Sequence, residues 1–203
     1  DAVDDTDKVT LARQFEGHVW AASTSPSAVL VLQKCVVDLP PHQKPLFFAE
    51  EFKGKAADAA KHSLQGRLLE RIIEQFPAED LDGMVGELVA AGASLSRHAS
   101  GNYVVQRVLE HGTTSQRAAL TEALCVDASR LAFHRIASNV LRCALGNAPL
   151  HARLRLVEAL TVDSAITRAL DRQCNSSFVM REVRALKRTR LLSSRLCGTL
   201  EEI

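Results

Sequence analysis

The chain has 203 residues, of which 46% are hydrophobic and 24% charged, and its formal net charge is +1. These proportions are ordinary for a folded soluble protein and exclude a largely disordered chain. Aromatic residues make up only 4%, and Gly and Pro are few, so the composition favours helices packed on helices over a β-sandwich or barrel. The predicted class is all-α. A net charge this small does not by itself indicate a nucleic-acid partner.

The first residues, Asp1 to Asp5, are acidic rather than basic and apolar, and no apolar run reaches membrane-spanning length, so we expect no membrane partner. The five cysteines are widely spaced without a CxxC pair, which argues against a disulfide framework or a zinc ribbon and favours a reducing compartment. A cytoplasmic location is expected, with a nuclear or nucleolar one as the alternative. Residues 1–15 are predicted to be a polar lead-in to a repeat domain over 16–203.

An internal repeat is the main feature of the sequence. Histidines at 62, 98 and 134 recur every 36 residues, and a helix-like block of eight residues follows each one. In almost every block the third, fourth, seventh and eighth positions are apolar, which makes one buried stripe along a helix. The first, second and fifth positions fall on another face and are variable and mostly polar. Two further blocks extend the pattern, so the five are 29–36, 66–73, 102–109, 138–145 and 177–184.

Each repeat is predicted to contain three helices. In the third repeat they are expected near 93–98, 100–111 and 115–124, with turn and capping residues at 112–114. No unit can bury its stripe alone, so the repeats should stack as one solenoid domain. The three histidines are spread one per repeat and cannot converge on one ion. We therefore expect them to lie in loops or cap helices, and we predict no metal site and no cofactor.

The stretch from Arg97 to Glu110, RHASGNYVVQRVLE, resembles the signature of a Pumilio (PUF) repeat, in which GNYVVQ opens the second helix. The other four blocks resemble it more weakly but in phase. The resemblance implies a right-handed α-α superhelix of about five three-helix repeats. It also implies that the concave face binds single-stranded RNA, about one base per repeat, in post-transcriptional regulation of mRNA.

The resemblance further implies that the first and fifth block positions touch a base edge and that the second position stacks between bases. In the first repeat Val29 and Leu30 replace a polar edge reader and a stacking residue, so that repeat is expected to discriminate poorly. The residues expected to contact RNA are Gln33; Gly66, Arg67 and Glu70; Asn102, Tyr103 and Gln106; Ser138, Asn139 and Arg142; and Ser177, Phe178 and Arg181.

Side-chain chemistry suggests a base for each repeat. Asn102 and Gln106 each offer a donor and an acceptor, which suits uracil, and Glu70 accepts only, which suits guanine. Arg142 and Arg181 donate only, which suits cytosine. Because Pumilio proteins bind RNA antiparallel to the chain, the predicted core is 5′-CCUG-3′. The sixth-position cations Lys34, Arg71 and Arg107 are expected to meet the RNA backbone, which would make binding depend on salt.

The sequence predicts a binding protein and not an enzyme, because the chain contains no P-loop, GxGxxG or HExxH motif. What the protein binds, and whether it selects bases, remains open between two alternatives. The low net charge and the two weakened repeats favour a different kind of binding protein. That alternative is a helical scaffold that grips RNA without base selectivity, as in ribosome assembly, or that binds proteins. Protein partners are expected on the convex face.

Overall fold

The computed structural model describes residues 5–40, 43–173 and 177–188, and no strand occurs within these ranges. A 3-10 turn spans Ala78–Leu81, and residues 177–188 form a helical segment. The other helices are α1 (Asp5–Arg13), α2 (Val19–Ala22), α3 (Pro26–Asp38), α4 (Phe47–Glu50), α5 (Ala56–Lys61), α6 (Ser63–Gln75), α7 (Asp82–Ala90), α8 (Gly92–Arg97), α9 (Gly101–His111), α10 (Thr114–Cys125), α11 (Ala128–Phe133), α12 (Ala137–Asn147), α13 (Leu150–Thr161) and α14 (Ser164–Arg172).

The helices stack in three layers. Four of the five predicted blocks lie in the longer helices α3, α6, α9 and α12, which we call the block helices, and each of these packs on the next. The fifth block lies in the helical segment 177–188. The short helices α5, α8, α11 and α14 form a second layer. The return helices α7, α10 and α13 form a third layer, in which α10 contacts both of its neighbours. Contacts therefore join equivalent helices of successive repeats, and the predicted all-α solenoid is confirmed.

The predicted apolar stripe forms the core. In the second, third and fourth repeats every third, fourth, seventh and eighth block position is at most 2% exposed. Burial of one such aliphatic side chain contributes about 1.5–3 kcal/mol. Because successive stripes join in one core, the repeats stabilise each other. These residues are Leu68, Leu69, Ile72, Ile73, Val104, Val105, Val108, Leu109, Val140, Leu141, Ala144 and Leu145.

The helix boundaries follow local capping chemistry. In the third repeat α8, α9 and α10 begin and end within one residue of the predicted limits. Thr113 caps α10 through a capping box: its side chain accepts from the Gln116 N–H at 3.1 Å, and the Gln116 side chain accepts from the Thr113 N–H at 2.9 Å. These two bonds satisfy amide groups that have no partner inside the helix.

The repeating histidines also cap helices. Nδ1 of His98 accepts hydrogen bonds from the N–H groups of Ser100 and Gly101, both at 3.2 Å. His134 accepts in the same way from the two residues that lead into α12, and His62 accepts from the Leu64 N–H at 3.3 Å. The expected capping role is confirmed for all three. Among the described residues no group of three or more His, Cys, Asp or Glu side chains could hold a metal ion.

At the N-terminal end, the predicted polar lead-in contains helix α1. This helix packs against α3, and its Ala12 is fully buried. Residues 1–4 of the lead-in and residues 189–203 of the predicted repeat domain lie outside the described residues. Within the described part of the chain, no helix has the length and apolar character needed to cross a membrane.

Candidate nucleic-acid interface

We define the block face as the surface formed by the first, second and fifth positions of the five blocks. Its best-formed feature is a cavity of about 490 Å³ between α9 and α12. Asn102 and Arg142 lie in the same cavity, so the third and fourth blocks turn these positions to one side, as predicted. The lining residues are Ala99, Asn102, Tyr103, Gln106, Arg135, Ile136, Asn139 and Arg142.

The two amides of the third repeat are hydrogen-bonded to each other. The Asn102 side-chain amide donates to the carbonyl oxygens of His98 at 2.9 Å and Ala99 at 2.8 Å. Gln106 Nε2 in turn donates to Asn102 Oδ1 at 3.1 Å and to the Asn102 carbonyl at 3.2 Å. Asn102 is only 4% exposed, whereas Gln106 is half-buried. Asn102 therefore holds the amide nitrogen of Gln106, and Gln106 lines the cavity.

The first block position is buried in four repeats. Val29, Gly66, Asn102 and Ser138 are all buried, and only Ser177 in the fifth repeat is exposed. The Ser138 hydroxyl donates to the Arg135 carbonyl at 3.2 Å. The exposed part of the block face thus consists mainly of second and fifth positions. Arg67, Tyr103, Asn139, Arg142, Phe178 and Arg181 supply it.

Glu70, the predicted guanine reader, lies beside a cation of the next repeat. Its Oε2 is 3.7 Å from Arg107 Nε, and Arg107 Nε is also 2.9 Å from Glu74 Oε1. Burial raises the pKa of Glu70 above its ordinary value, and the attraction of Arg107 opposes that rise. Glu70 is therefore part of an inter-repeat ion-pair network as well as of the block face.

The three sixth-position cations are paired with carboxylates of the protein. Lys34 pairs with Asp38 at 2.8 Å, Arg71 pairs with Glu74, and Arg107 pairs with Glu74 and Glu110. Carboxylates of the protein already neutralise these charges, because each helix carries an acid three or four residues further on or faces one in the preceding repeat. The expectation that they contact the RNA backbone stays a prediction.

Other arginines on the block face have no such partner. Among the described residues, the side chains of Arg67, Arg135 and Arg142 make no ion pair or hydrogen bond, and all three residues are exposed. Arg135 was not among the residues predicted to contact RNA. It follows the capping residue His134 directly, where the second and third repeats carry Ser63 and Ala99. Among these three repeats, only the fourth has a basic residue directly after the capping histidine, and this difference could have indicated the site.

A match to a family model covers the third repeat. Residues 93–125, which include most of α8 and all of α9 and α10, match the Pumilio-family RNA binding repeat. The third repeat of the chain is therefore similar to a Pumilio-family repeat. No curated protein matches the sequence.

Solved Pumilio structures share the fold of the whole described chain. A mutant of Puf4 bound to a Cox17 RNA 3′ UTR recognition sequence has a TM-score of 0.81 and 16% identity, covering 100% of this chain and 67% of that chain. The Puf3 RNA-binding domain bound to site B of the Cox17 RNA has a TM-score of 0.76 and 18% identity, covering 91% and 56%. Yeast Puf5p bound to SMX2 RNA has a TM-score of 0.74 and 15% identity, covering 94% and 56%. The present chain thus spans little more than half the length of the Puf3 domain.

The repeats of the chain differ in which side chains they expose. In the first, Gln33 is half-buried beside Leu30, which is 65% exposed, so this repeat offers an apolar surface. In the fifth, Phe178 is 53% exposed and the Arg181 guanidinium lies 5.5 Å from its ring centroid. Arg181 also lies 3.8 Å from Glu182. The third and fourth repeats together present the most polar groups to one cavity.

Proposed function

We propose that the chain binds single-stranded RNA along the block face, about one base per repeat, with the cavity between α9 and α12 as its principal base site. The observation that carries this proposal is the composition of that cavity. It combines the carbonyl of Gln106, the exposed ring of Tyr103 and the unpaired guanidinium groups of Arg135 and Arg142. Pumilio relatives of the same fold were solved with bound RNA, which supports the choice of ligand.

The chemistry of the cavity suits an unpaired nucleotide. Tyr103 is 55% exposed and can stack on a base, a contact worth about 1–3 kcal/mol. Gln106 can accept a hydrogen bond from the imide N–H of uracil. For Asn102 to donate to a base as well, its amide would have to leave the carbonyls of His98 and Ala99. We therefore assign base selection here mainly to Gln106.

We further propose the base order 5′-CCUG-3′, read by Arg181, Arg142, Asn102 with Gln106, and Glu70. Exposure of Arg142 and Arg181 supports the two cytosines. Support for guanine is weakest, because Glu70 already faces Arg107 and Gly66 has no side chain. Such a module would act in post-transcriptional regulation of mRNA in the cytoplasm, by binding and not by catalysis.

Fluorescence anisotropy with labelled RNA tests this function. A single strand containing CCUG should bind more tightly than the same strand with one base changed, by a factor of about 5–150 if a mismatch costs about 1–3 kcal/mol as in protein–DNA sites. Tyr103→Ala should weaken binding about 5- to 150-fold, whereas Leu150→Ala, an exposed apolar residue of the return helix α13, should not.

A second candidate function is RNA binding without base selectivity. It is favoured because the first block positions are mostly buried and the sixth-position cations are paired with carboxylates. In that case the four single-base variants of the RNA would bind equally well, and Tyr103→Ala would weaken all of them alike. Absence of binding to any single-stranded RNA at low salt would contradict both candidates.

A further inference from the structure

The first block helix exposes a face that the later repeats bury. Val31, at the third block position of α3, is 49% exposed. Its counterparts Leu68, Val104 and Val140 are all 0% exposed. Because the helix pattern is the same in these repeats, the difference arises from what packs on the helix and not from its own sequence.

Helix α1 belongs to the same repeating arrangement. The turn from α1 to α2 contains Gly17, and the turn from α4 to α5 contains Gly54; both glycines have a φ of 77°. The Gly17 N–H donates to a carboxylate oxygen of Glu51, and the Gly54 N–H donates in the same way to Glu87. Helices α1 and α4 are therefore equivalent elements, 37 residues apart in the sequence.

This equivalence identifies a second exposed apolar site. Leu11 of α1 corresponds to Phe48, and Phe15 corresponds to Phe52. Leu11 is 55% exposed, whereas Phe48 and Phe52 are both 0% exposed. Leu11, Phe15, Val31 and Cys35 together line a groove of about 260 Å³ between α1 and α3, with Lys34 and Asp38 at its edge.

One repeat further along, a helix occupies the equivalent place. Helix α3 packs on α6, and its Val29, Leu32 and Val36 share one core with Phe48 and Phe52. The groove between α1 and α3 is thus the next surface in the series of interfaces between block helices. It has the shape and the apolar character to take one more helix in the same manner.

The charged residue Lys34 at the edge of the groove also favours a helix as the molecule that fills it. Arg107, at the sixth block position of α9, reaches Glu70 and Glu74 on the preceding block helix. Lys34 holds the sixth position of α3, its side chain is 77% exposed, and it pairs with Asp38 of its own helix. A preceding helix with carboxylates at the matching positions would complement Lys34 as Glu70 and Glu74 complement Arg107.

We propose that the groove between α1 and α3 is a docking site for an amphipathic α-helix with the block pattern of this chain. The docked helix places its apolar positions on Leu11 and Val31 and a carboxylate near Lys34. This surface, between α1 and α3, is separate from the cavity proposed to bind RNA.

A helical peptide in trans tests the proposal. A peptide of residues 63–75 carries the apolar stripe together with Glu70 and Glu74, and a hydrocarbon staple between the exposed positions Arg67 and Arg71 would hold it helical. Titration of the labelled peptide with the 203-residue chain, without RNA, should give saturable binding. Val31→Lys in the chain should weaken that binding at least tenfold, and Leu69→Lys in the peptide, at the position equivalent to Leu32, should abolish it.

The control is Val126→Lys, since Val126 is 90% exposed after the end of α10 and should leave binding unchanged. Circular dichroism confirms that the peptide is helical and that the variants remain folded. No saturable binding of the helical peptide, or equal binding to the Val31→Lys chain, would overturn the proposal. A chain dimer in sedimentation velocity that Val31→Lys dissociates would also overturn it, because the occupant would then be a second copy.

Discussion

Gln106 Nε2 lies 3.1 Å from Asn102 Oδ1, one turn back on the same helix. The two side chains predicted to read uracil are therefore bound to each other, and Asn102 is anchored to the carbonyls of His98 and Ala99. The pair works as a unit in which the buried residue orients the partly exposed one. This arrangement determines how the base specificity can be changed.

The double substitution Asn102→Ser and Gln106→Glu should move the third repeat from uracil toward guanine. Glutamate would present acceptors to the two donors of the guanine edge, while Tyr103 still stacks. Gln106→Glu alone should bind every base less well, because its carboxylate would face Asn102 Oδ1. Competition binding with the four single-base RNA variants measures the change. Equal loss of affinity for all four bases in the double variant would rule out readout of one base by this repeat.

Arg135→Ala should lower the salt dependence of RNA binding. Arg135 lines the cavity and makes no ion pair among the described residues, so it is available to a phosphate. Loss of one phosphate contact should reduce the slope of log K against log salt by about 1. Arg71→Ala is the control, because Arg71 is paired with Glu74 and its removal should leave the slope unchanged. An unchanged slope in Arg135→Ala would remove this residue from the interface.

Glu70→Gln should stabilise the protein more at pH 7 than at pH 4. The pKa of Glu70 is raised above 4.5 by burial, so the folded protein binds more protons at this carboxyl than the unfolded chain does. Its contribution to the free energy of unfolding is therefore complete below pH 4.5 and is lost as the pH rises through the raised value. Urea unfolding across this range measures the effect, with exposed Glu79→Gln as the control. A larger gain at pH 4 would contradict the assignment.

Gly101→Ala should destabilise the chain by about 1–3 kcal/mol. A Cβ at Gly101 would lie 2.9 Å from Leu95 Cδ2 and 3.1 Å from the Leu95 carbonyl oxygen, and Leu95 is fully buried. Gly146→Ala is the matched control, because a Cβ there meets nothing within 4 Å and alanine is the better helix former. Thermal unfolding should therefore shift in opposite directions for the two variants. Equal stability of Gly101→Ala and the parent would show that Leu95 can move aside.

His98→Ala should cost about 0.5–2 kcal/mol of stability, as expected for the loss of a helix cap. Nδ1 of His98 accepts from two N–H groups at the start of α9, and alanine leaves them without this partner. His98→Asn should retain most of the stability, since an asparagine oxygen can accept in the same place. The midpoint of urea unfolding distinguishes the two. If both variants lose the same stability, the imidazole acts by packing rather than by capping.

The repeat, its helices and the core stripe could be predicted from the sequence because they depend on local periodicity. Val104, Val105, Val108 and Leu109 mark one side of a helix whatever packs against it. The capping role of His98 was likewise predictable, since a residue of that kind recurs just before each block. The same periodicity predicted which side of the block helix carries Asn102 and Gln106.

Tertiary structure decided which of those polar side chains are available. Asn102 and Ser138 occupy first positions that are buried by the neighbouring helices, and the partners of Arg107 come from another repeat. Val31 has the same block position as Val104 but a different exposure, because the helix that covers Val104 has no counterpart over Val31 among the described residues. Local periodicity determines the direction in which a side chain points along its own helix. Its burial and its charge partners depend on the neighbouring repeats, which a single block does not specify.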